Sequence, residues 1–430
     1  MGKTSKQLLE ERYLNPLKER PLLLGVEFEF PIINQTHPES EQGLDQCCLL
    51  LERLSQDGNY VVLKRDTDGQ AIELSHQKSG DHLLFEVAYT TLEIAFAPAK
   101  DLTTLVKRFE GYLHQLNAIL AEWGLTIGGF GLHPAWEKTK NYMVKTDRYE
   151  MLTQFLALSQ DYQEKTAHQL HPYPSYGGFI MGNQVQFDVS KENLLSVLNL
   201  FNQIEPAKAY LFANSAFAPW EDTRISRDRF WEASMHGIYA ENIGVFPRDF
   251  SSLSEWLDYV NQSAMFYVKR GEETIYFEPY RLPDFFSAAS IQGWNLQGQR
   301  RQFSPKESDI SFHRAYHYQD VTARGTVELR SVCTQPLELT WAPIAFELGL
   351  RANLEKWEAL MANHVFFSLY GRDYPELRRR FSAPHLSKEE EEAIRQLSGE
   401  LLVCAREGLG ERGHGEEVFL KPIEDFLAEN

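Results

Sequence analysis

Four cysteines (Cys47, Cys48, Cys333, Cys404) in 430 residues are too few for a disulfide scaffold, and no CxxC or Cys/His zinc spacing occurs. A reducing cytoplasm is the expected compartment. Long apolar runs are also missing. None approaches the roughly 20 residues that span a bilayer. The start, Met-Gly-Lys-Thr-Ser-Lys, has no apolar core of a signal peptide, so none is expected. Positive charge is scarce: 43 Lys and Arg against 61 Asp and Glu give a net −18. Neither nucleic acid nor an anionic membrane is then an expected partner, unless a metal or a focused arginine cluster mediates. Nucleotide-binding glycine motifs are lacking as well. Gly128-Gly129-Phe130-Gly131 is not GxGxxG, and GxxxxGK[ST] occurs nowhere, so neither a Rossmann nor a P-loop site is indicated. Repeats and linker-like low-complexity stretches are absent. A single domain over 1–430 is expected, with a sheet-containing part to 340 and a helical part over 341–430.

What is present is a large stock of core residues. The chain is 43% hydrophobic, with 27 Phe, 19 Tyr and 8 Trp. The stretch that organises the rest is Leu-Gly-Val-Glu-Phe-Glu-Phe, 24–30. As a strand it points Val26, Phe28 and Phe30 one way, and Glu27 and Glu29 the other. Two carboxylates about 6.5–7 Å apart on one face repel each other. A hard cation with a preference for oxygen ligands removes the conflict. An ordinary half-solvated strand fits this stretch alone equally well, so the case rests on acids downstream.

A short helix over 4–20, broken near Pro16, precedes the strand, which is read as 22–32 and ending at Pro31. A helix over 43–55 and a hairpin of 59–64 with 70–75 follow. Glu93 sits in an apolar strand over 90–96, and Glu86 in the turn before it. Residues 101–123 read as the crossover helix, with Asp101 as N-cap and Gly124 as stop. His133 is read as a structural hydrogen-bonder. Helices over 148–164 and 191–214 flank a strand, 183–189, that alternates strictly. Val185, Phe187 and Val189 lie on one face, with Gln184, Gln186 and Asp188 on the other. In the run Arg224-Ile-Ser-Arg227-Asp-Arg229-Phe-Trp231, three arginines beside aromatics suit capture of a carboxylate or phosphate. A solvated helix start paired with Asp222 and Asp228 is the alternative. Further on, 254–268 reads as helix, 275–281 as strand, and the polar segment 285–303 as a mobile loop over a site. In 325–331, Glu328 and Arg330 share one face, fit to hold a metal and its anion or to form a plain ion pair. Residues 344–368, 375–381 and 387–408 read helical, with Glu389–Glu392 a solvated face.

The series GVEFEF, TLEIAFAP, NQVQFDVS, ANSAFAPW, SRDRFW, MFYVKR and GTVELRS, in this order over about 70% of the chain, resembles the glutamate–cysteine ligase family, closest to its plant-like bacterial branch. The resemblance implies an α+β fold: a curved, largely antiparallel sheet forming an open funnel flanked by helices, distantly like glutamine synthetase. It implies ATP-dependent joining of the γ-carboxyl of glutamate to the amino group of cysteine through a γ-glutamyl phosphate, with Mg2+ or Mn2+. Partners are then small molecules only, on a monomer or homodimer. It also implies roles. Glu27, Glu29, Glu86, Glu93, Gln184 and Glu328 match metal ligands. Arg330, with Glu328, matches the catalytic pair. Arg330 matches the arginine that contacts phosphate, and Arg227 the one that holds a glutamate carboxylate. Gln186 is a candidate beside Arg330 on the nucleotide side, and Arg224, Gln184 and Trp231 are candidates beside Arg227 on the substrate side. Segment 285–303 departs from the family's usual cysteine-pocket region, so another acceptor amine stays open. So does a binding protein without ligase activity.

Overall fold

Residues 2–429 are described by the structure, a computed structural model. Fifteen strands occur among them. In chain order they are β1 (Leu24–Asn34), β2 (Tyr60–Arg65), β3 (Ala71–His76), β4 (His82–Phe85), β5 (Thr91–Ala95), β6 (Leu125–Ile127) and β7 (Gly182–Asp188). Then come β8 (Ile243–Gly244), β9 (Ala264–Arg270), β10 (Glu273–Arg281), β11 (Ile291–Asn295), β12 (Arg300–Phe303), β13 (Tyr316–His317), β14 (Gln319–Val321) and β15 (Thr326–Cys333). The main sheet is antiparallel and open, in the order β14-β15-β7-β1-β5-β4-β3-β2, with β6 extending β1. A second sheet, β12-β11-β10-β9, is a meander of consecutive strands. The fold is α+β, as expected.

Burial along β1 alternates from Leu24 to Phe30, with every apolar side chain buried and Glu27 and Glu29 half-buried. The buried face meets the crossover helix Leu102–Ala121, capped by Asp101, and the helix Ala342–Ala352. Phe28 lies 5.5 Å from Phe109 and 4.8 Å from Trp341, ring to ring. Further along the same face Phe187 stacks on Phe201 of helix Leu194–Gln203. Edge-to-face and offset ring pairs of this kind add to area burial. They also lock register, because a one-residue slip would drive the phenylalanines to the polar face. The opposite face is left to the acids.

Several expected boundaries move. Pro31 lies inside β1, at the point where its partner changes from β7 to β6, so its missing N–H is tolerated. The helix expected over 191–214 is two, Leu194–Gln203 and Glu205–Leu211, with Pro206 in the first turn of the second. The 254–268 helix stops at Val260, and Ala264–Arg270 is a strand that turns at Gly271 into β10. Segment 285–303 is not a loop but the β11–β12 hairpin. The Asn295 side chain closes its turn by accepting the N–H groups of Gln297 and Gln299. Gly129 and Gly131 serve close backbone crossings: a Cβ there would meet the Pro336 Cα at 2.5 Å or the Asn214 carbonyl oxygen at 2.6 Å. His133 is buried and bonds the Ile32 carbonyl oxygen at 3.1 Å, the structural part expected of it.

Candidate active site

The polar face of the main sheet carries a row of acids drawn from four strands. Register sets Glu29 directly opposite Glu93 of β5, and Glu328 of β15 directly opposite Asp320 of β14. Like charges so opposed in an antiparallel pair, with Cβ atoms about 4.5–5.5 Å apart, are destabilising. Glu27 stands between them, opposite Gln184 of β7.

Amides and guanidinium groups bridge the row. Gln186 Nε2 donates to Glu27 Oε1 at 3.0 Å and to Glu328 Oε1 at 2.8 Å. Its own oxygen accepts from Arg324 at 2.7 Å. Arg330 Nη2 donates to Glu328 Oε2 at 2.6 Å. Glu29 accepts the Gly182 N–H at 2.7 Å and the Gln184 amide at 3.1 Å, while Gln184 Oε1 stays buried without a donor. This compensation is incomplete. Burial, then Glu328, lifts the Glu27 carboxyl to about 7, and burial lifts Glu29 to about 7 despite Arg227 nearby. Glu93 is raised well above the usual carboxylate range by burial and by Glu86, Glu27 and Glu29. Asp320 reaches about 7 through burial, with Arg330 opposing.

Beside Glu29 lies a cavity of about 110 Å³ with Tyr176, Trp231, His236 and Tyr316 among its walls. Glu86, Arg148 and Arg227 are its other charged groups. Glu86 accepts the Tyr149 hydroxyl at 2.8 Å and lies 4.0 Å from Arg148. It is delivered there by Val87, the one non-glycine residue with positive φ (63°) among those described, a costly conformation for a β-branched side chain. Arg227 comes from the helix Ser226–Glu232, and its Nη1 donates to the Arg330 carbonyl oxygen at 2.7 Å. Gly182 makes room for it: a Cβ there would lie 2.6 Å from Arg227 Nη2.

Of the residues singled out in sequence, Glu27, Glu29, Glu93, Gln184, Gln186, Glu328 and Arg330 share the acidic face, and Glu86, Arg227 and Trp231 line the adjoining cavity. Arg224 does not join them. It precedes the helix that aims Arg227, and its guanidinium lies over the Tyr210 ring at 5.9 Å, beside the C-terminal helices. Arg324, Asp320, Arg148 and Tyr149 were missed. Arg324 sits in the turn just before GTVELRS, which was its one signal. Asp320 lies in a three-residue strand, too short to show alternation.

Among the described residues no group of three or more His, Cys, Asp or Glu side chains is already arranged to hold a metal ion. The cage of six ligands is therefore not gathered around one point. The acids are spread along the sheet and tied to amides and arginines instead. The donor set still fits magnesium. It is all oxygen, it is undercompensated, and Mg2+ is ordinarily held by one or two carboxylates together with water and substrate phosphates.

The sequence model of glutamate–cysteine ligase family 2 matches residues 23–426. A chloroplastic glutamate–cysteine ligase A of Oryza sativa subsp. indica is 20% identical over 385 residues, covering 88% of this chain and 70% of its own length. The chloroplastic enzyme of Medicago truncatula is 21% identical over 346 residues, 78% of this chain and 63% of its own. A Francisella tularensis glutamate–cysteine ligase solved with AMP aligns at TM-score 0.45 and 12% identity, over 95% of this chain and 83% of its own. No helix among the described residues is long and apolar enough to cross a membrane.

The raised carboxyls set a pH dependence. Glu27 and Glu29 titrate near 4.5 when free and at about 7 in the folded chain. Between those values the folded protein binds more protons than the unfolded, so stability falls as pH rises through this window. Thermal unfolding of the metal-free protein is expected to show Tm falling from pH 5 to pH 8. Glu29→Gln should flatten the fall, and millimolar Mg2+ should restore Tm at pH 8. A Glu29→Gln variant with the wild-type slope would contradict the assignment.

Proposed function

Because the chain belongs to glutamate–cysteine ligase family 2, we propose that it joins the γ-carboxyl of L-glutamate to the amino group of L-cysteine at the expense of ATP. The observation that carries this reading is the acidic face with Arg227 and Arg330 tied together at its border. ATP and glutamate add negative charge to a surface already crowded with it. Such a site has use for the acids only if divalent cations arrive with the nucleotide.

In the proposed reaction a γ-carboxylate oxygen of glutamate attacks the γ-phosphorus of ATP, and the bond to ADP breaks. The amine nitrogen then attacks the acyl carbon, phosphate leaves with the bonding pair, and the proton shed by the nitrogen passes to that phosphate. Phosphoryl transfer needs in-line positioning and charge neutralisation more than covalent help from the protein. Glu27, Glu29, Glu93 and Glu328 would hold Mg2+, or Mn2+ with the same oxygen preference, whose bound charge offsets that of the phosphates. Arg330, held by Glu328, stabilises negative charge on the transferring group. Arg227 fixes a substrate carboxylate and so aligns the attacking oxygen. The neighbouring cavity suits an amino acid. Its aromatic walls exclude water, Glu86 suits an ammonium group, and Arg148 suits a carboxylate. All four cysteines are free thiols, which agrees with a thiol substrate in a reducing cytoplasm.

ADP release with glutamate, Mg2+ and a panel of amines tests the reading. Cysteine is expected to stimulate it most, and Glu328→Gln to lower kcat at least about 100-fold. Stimulation by a different amine alone would move the acceptor. A wild-type rate retained by Glu328→Gln would remove the acidic face from the chemistry. Gly182→Ala probes Arg227 separately, since the new methyl displaces the guanidinium. The glutamate KM should rise roughly 10-fold or more, the scale of one charge-assisted hydrogen bond, with the ATP KM within about threefold. An unchanged glutamate KM would contradict the role given to Arg227.

A further inference from the structure

Arg378 stands on the far side of β15 from the acids, on the helix Tyr374–Phe381 of the C-terminal part, and is 2% exposed. Its guanidinium is fully engaged. Nε and Nη2 form a fork on the Asp228 carboxylate at 2.6 and 3.1 Å. Nη2 also donates to the Ser331 carbonyl oxygen at 3.0 Å, and Nη1 reaches Glu205 Oε2. Glu205, 0% exposed, is completed by the Ser331 hydroxyl at 3.0 Å, Gln319 at 2.7 Å and Lys208 at 3.0 Å. Asp228 follows Arg227 in the chain, and Ser331 follows Arg330.

Stability is a weak reason for such a network. Buried ion pairs are often matched or bettered by apolar packing of the same volume. What a planar guanidinium adds is a rigid, directional fork. The helix that carries Arg227 has seven residues and no side-chain N-cap. Besides the Arg378 fork, its start is held by Ser215, which accepts the N–H groups of Ser226 and Arg227. Among the described residues Arg227 makes no carboxylate contact of its own, and its Nε is buried without a partner. Apart from its Nη1 bond to the Arg330 carbonyl oxygen at 2.7 Å, its position is therefore inherited from its helix.

We infer that Arg378 is a positioning residue that sets the spacing between the Arg227 and Arg330 guanidinium groups, by clamping the residue after each of them. This rests on the ligase reading above. That spacing fixes how far the substrate carboxylate lies from the phosphoryl group, a geometry to which transfer rates are steeply sensitive. Arg330 keeps its own hold on Glu328, so nucleotide binding should be nearly indifferent to Arg378.

The test compares Arg378→Lys and Asp228→Asn with the wild type, with kcat expressed per folded molecule from circular dichroism and thermal unfolding. Arg378→Lys keeps the charge and loses the fork. Asp228→Asn keeps the shape and loses the charge. Each is expected to lower kcat roughly 10- to 100-fold and raise the glutamate KM, with the ATP KM within about threefold. The double variant should be no worse than the worse single, because the contact that Asp228→Asn breaks is among those that Arg378→Lys breaks. If Arg378→Lys does not fold, Asp228→Asn decides alone. A lowered Tm with kcat and glutamate KM within about twofold of wild type overturns the positioning role and leaves the ligase reading intact. A wild type that releases no ADP with glutamate and any amine overturns both.

Discussion

Glu29 and Glu93 face each other across two antiparallel strands, and everything at the site follows from that opposition. Two half-buried carboxylates at one cross-strand position have no low-energy state as a pair of anions without a cation. The neighbouring opposed pair, Glu328 and Asp320, has Arg330 beside it. Glu29 and Glu93 have amides and a backbone N–H for one partner, and for the other chiefly the repulsion of Glu86, Glu27 and Glu29. The deficit of positive charge is thus localised on one part of the sheet, which is where a metal-borne anion would be drawn.

The strands accept this arrangement because their other face leaves them no alternative. Phe28, Phe30, Phe109 and Trp341 form a continuous ring cluster behind β1, and Val185, Phe187, Leu92 and Ile94 continue the buried surface onto its neighbours. Moving the acids away from one another requires a register shift, and a shift by one residue would place phenylalanines in water. Apolar burial on the back face thereby holds the electrostatic conflict on the front. The buried Arg378 network extends the same logic to Arg227, which reaches the site from a helix that the main sheet does not itself orient, whereas Arg330 comes from β15 of that sheet.

Much of this was legible in sequence because period-2 alternation is a direct image of a two-faced sheet. GVEFEF, NQVQFDV and TVELR each displayed which residues go to the core and which to the site, and Glu93 stood out against apolar neighbours. Elements without that image were misread. Ala264–Arg270 follows its helix through Asn261-Gln-Ser263, with neither glycine nor proline to mark the break. The β11–β12 hairpin is polar enough to pass for a loop, and it continues the sheet from the edge that β10 offers. Arg224 and Arg227 were indistinguishable as letters. Arg224 lies before the helix and turns to Tyr210, whereas Arg227, three residues on, lies on the helix and reaches Arg330. Arg148, Arg324 and Arg378 come from helices and turns whose placement depends on tertiary packing, so no local pattern could announce them.

On the proposed reading the acidic face binds a nucleotide only through divalent cations. Calorimetric titration with ATP, in Mn2+ and again in excess chelator, with manganese bound to the protein–ATP complex counted by electron paramagnetic resonance, decides whether it does. ATP binding is expected to disappear with the chelator, and bound manganese to fall in Glu27→Gln and Glu93→Gln. ATP bound equally tightly without any divalent ion would contradict it.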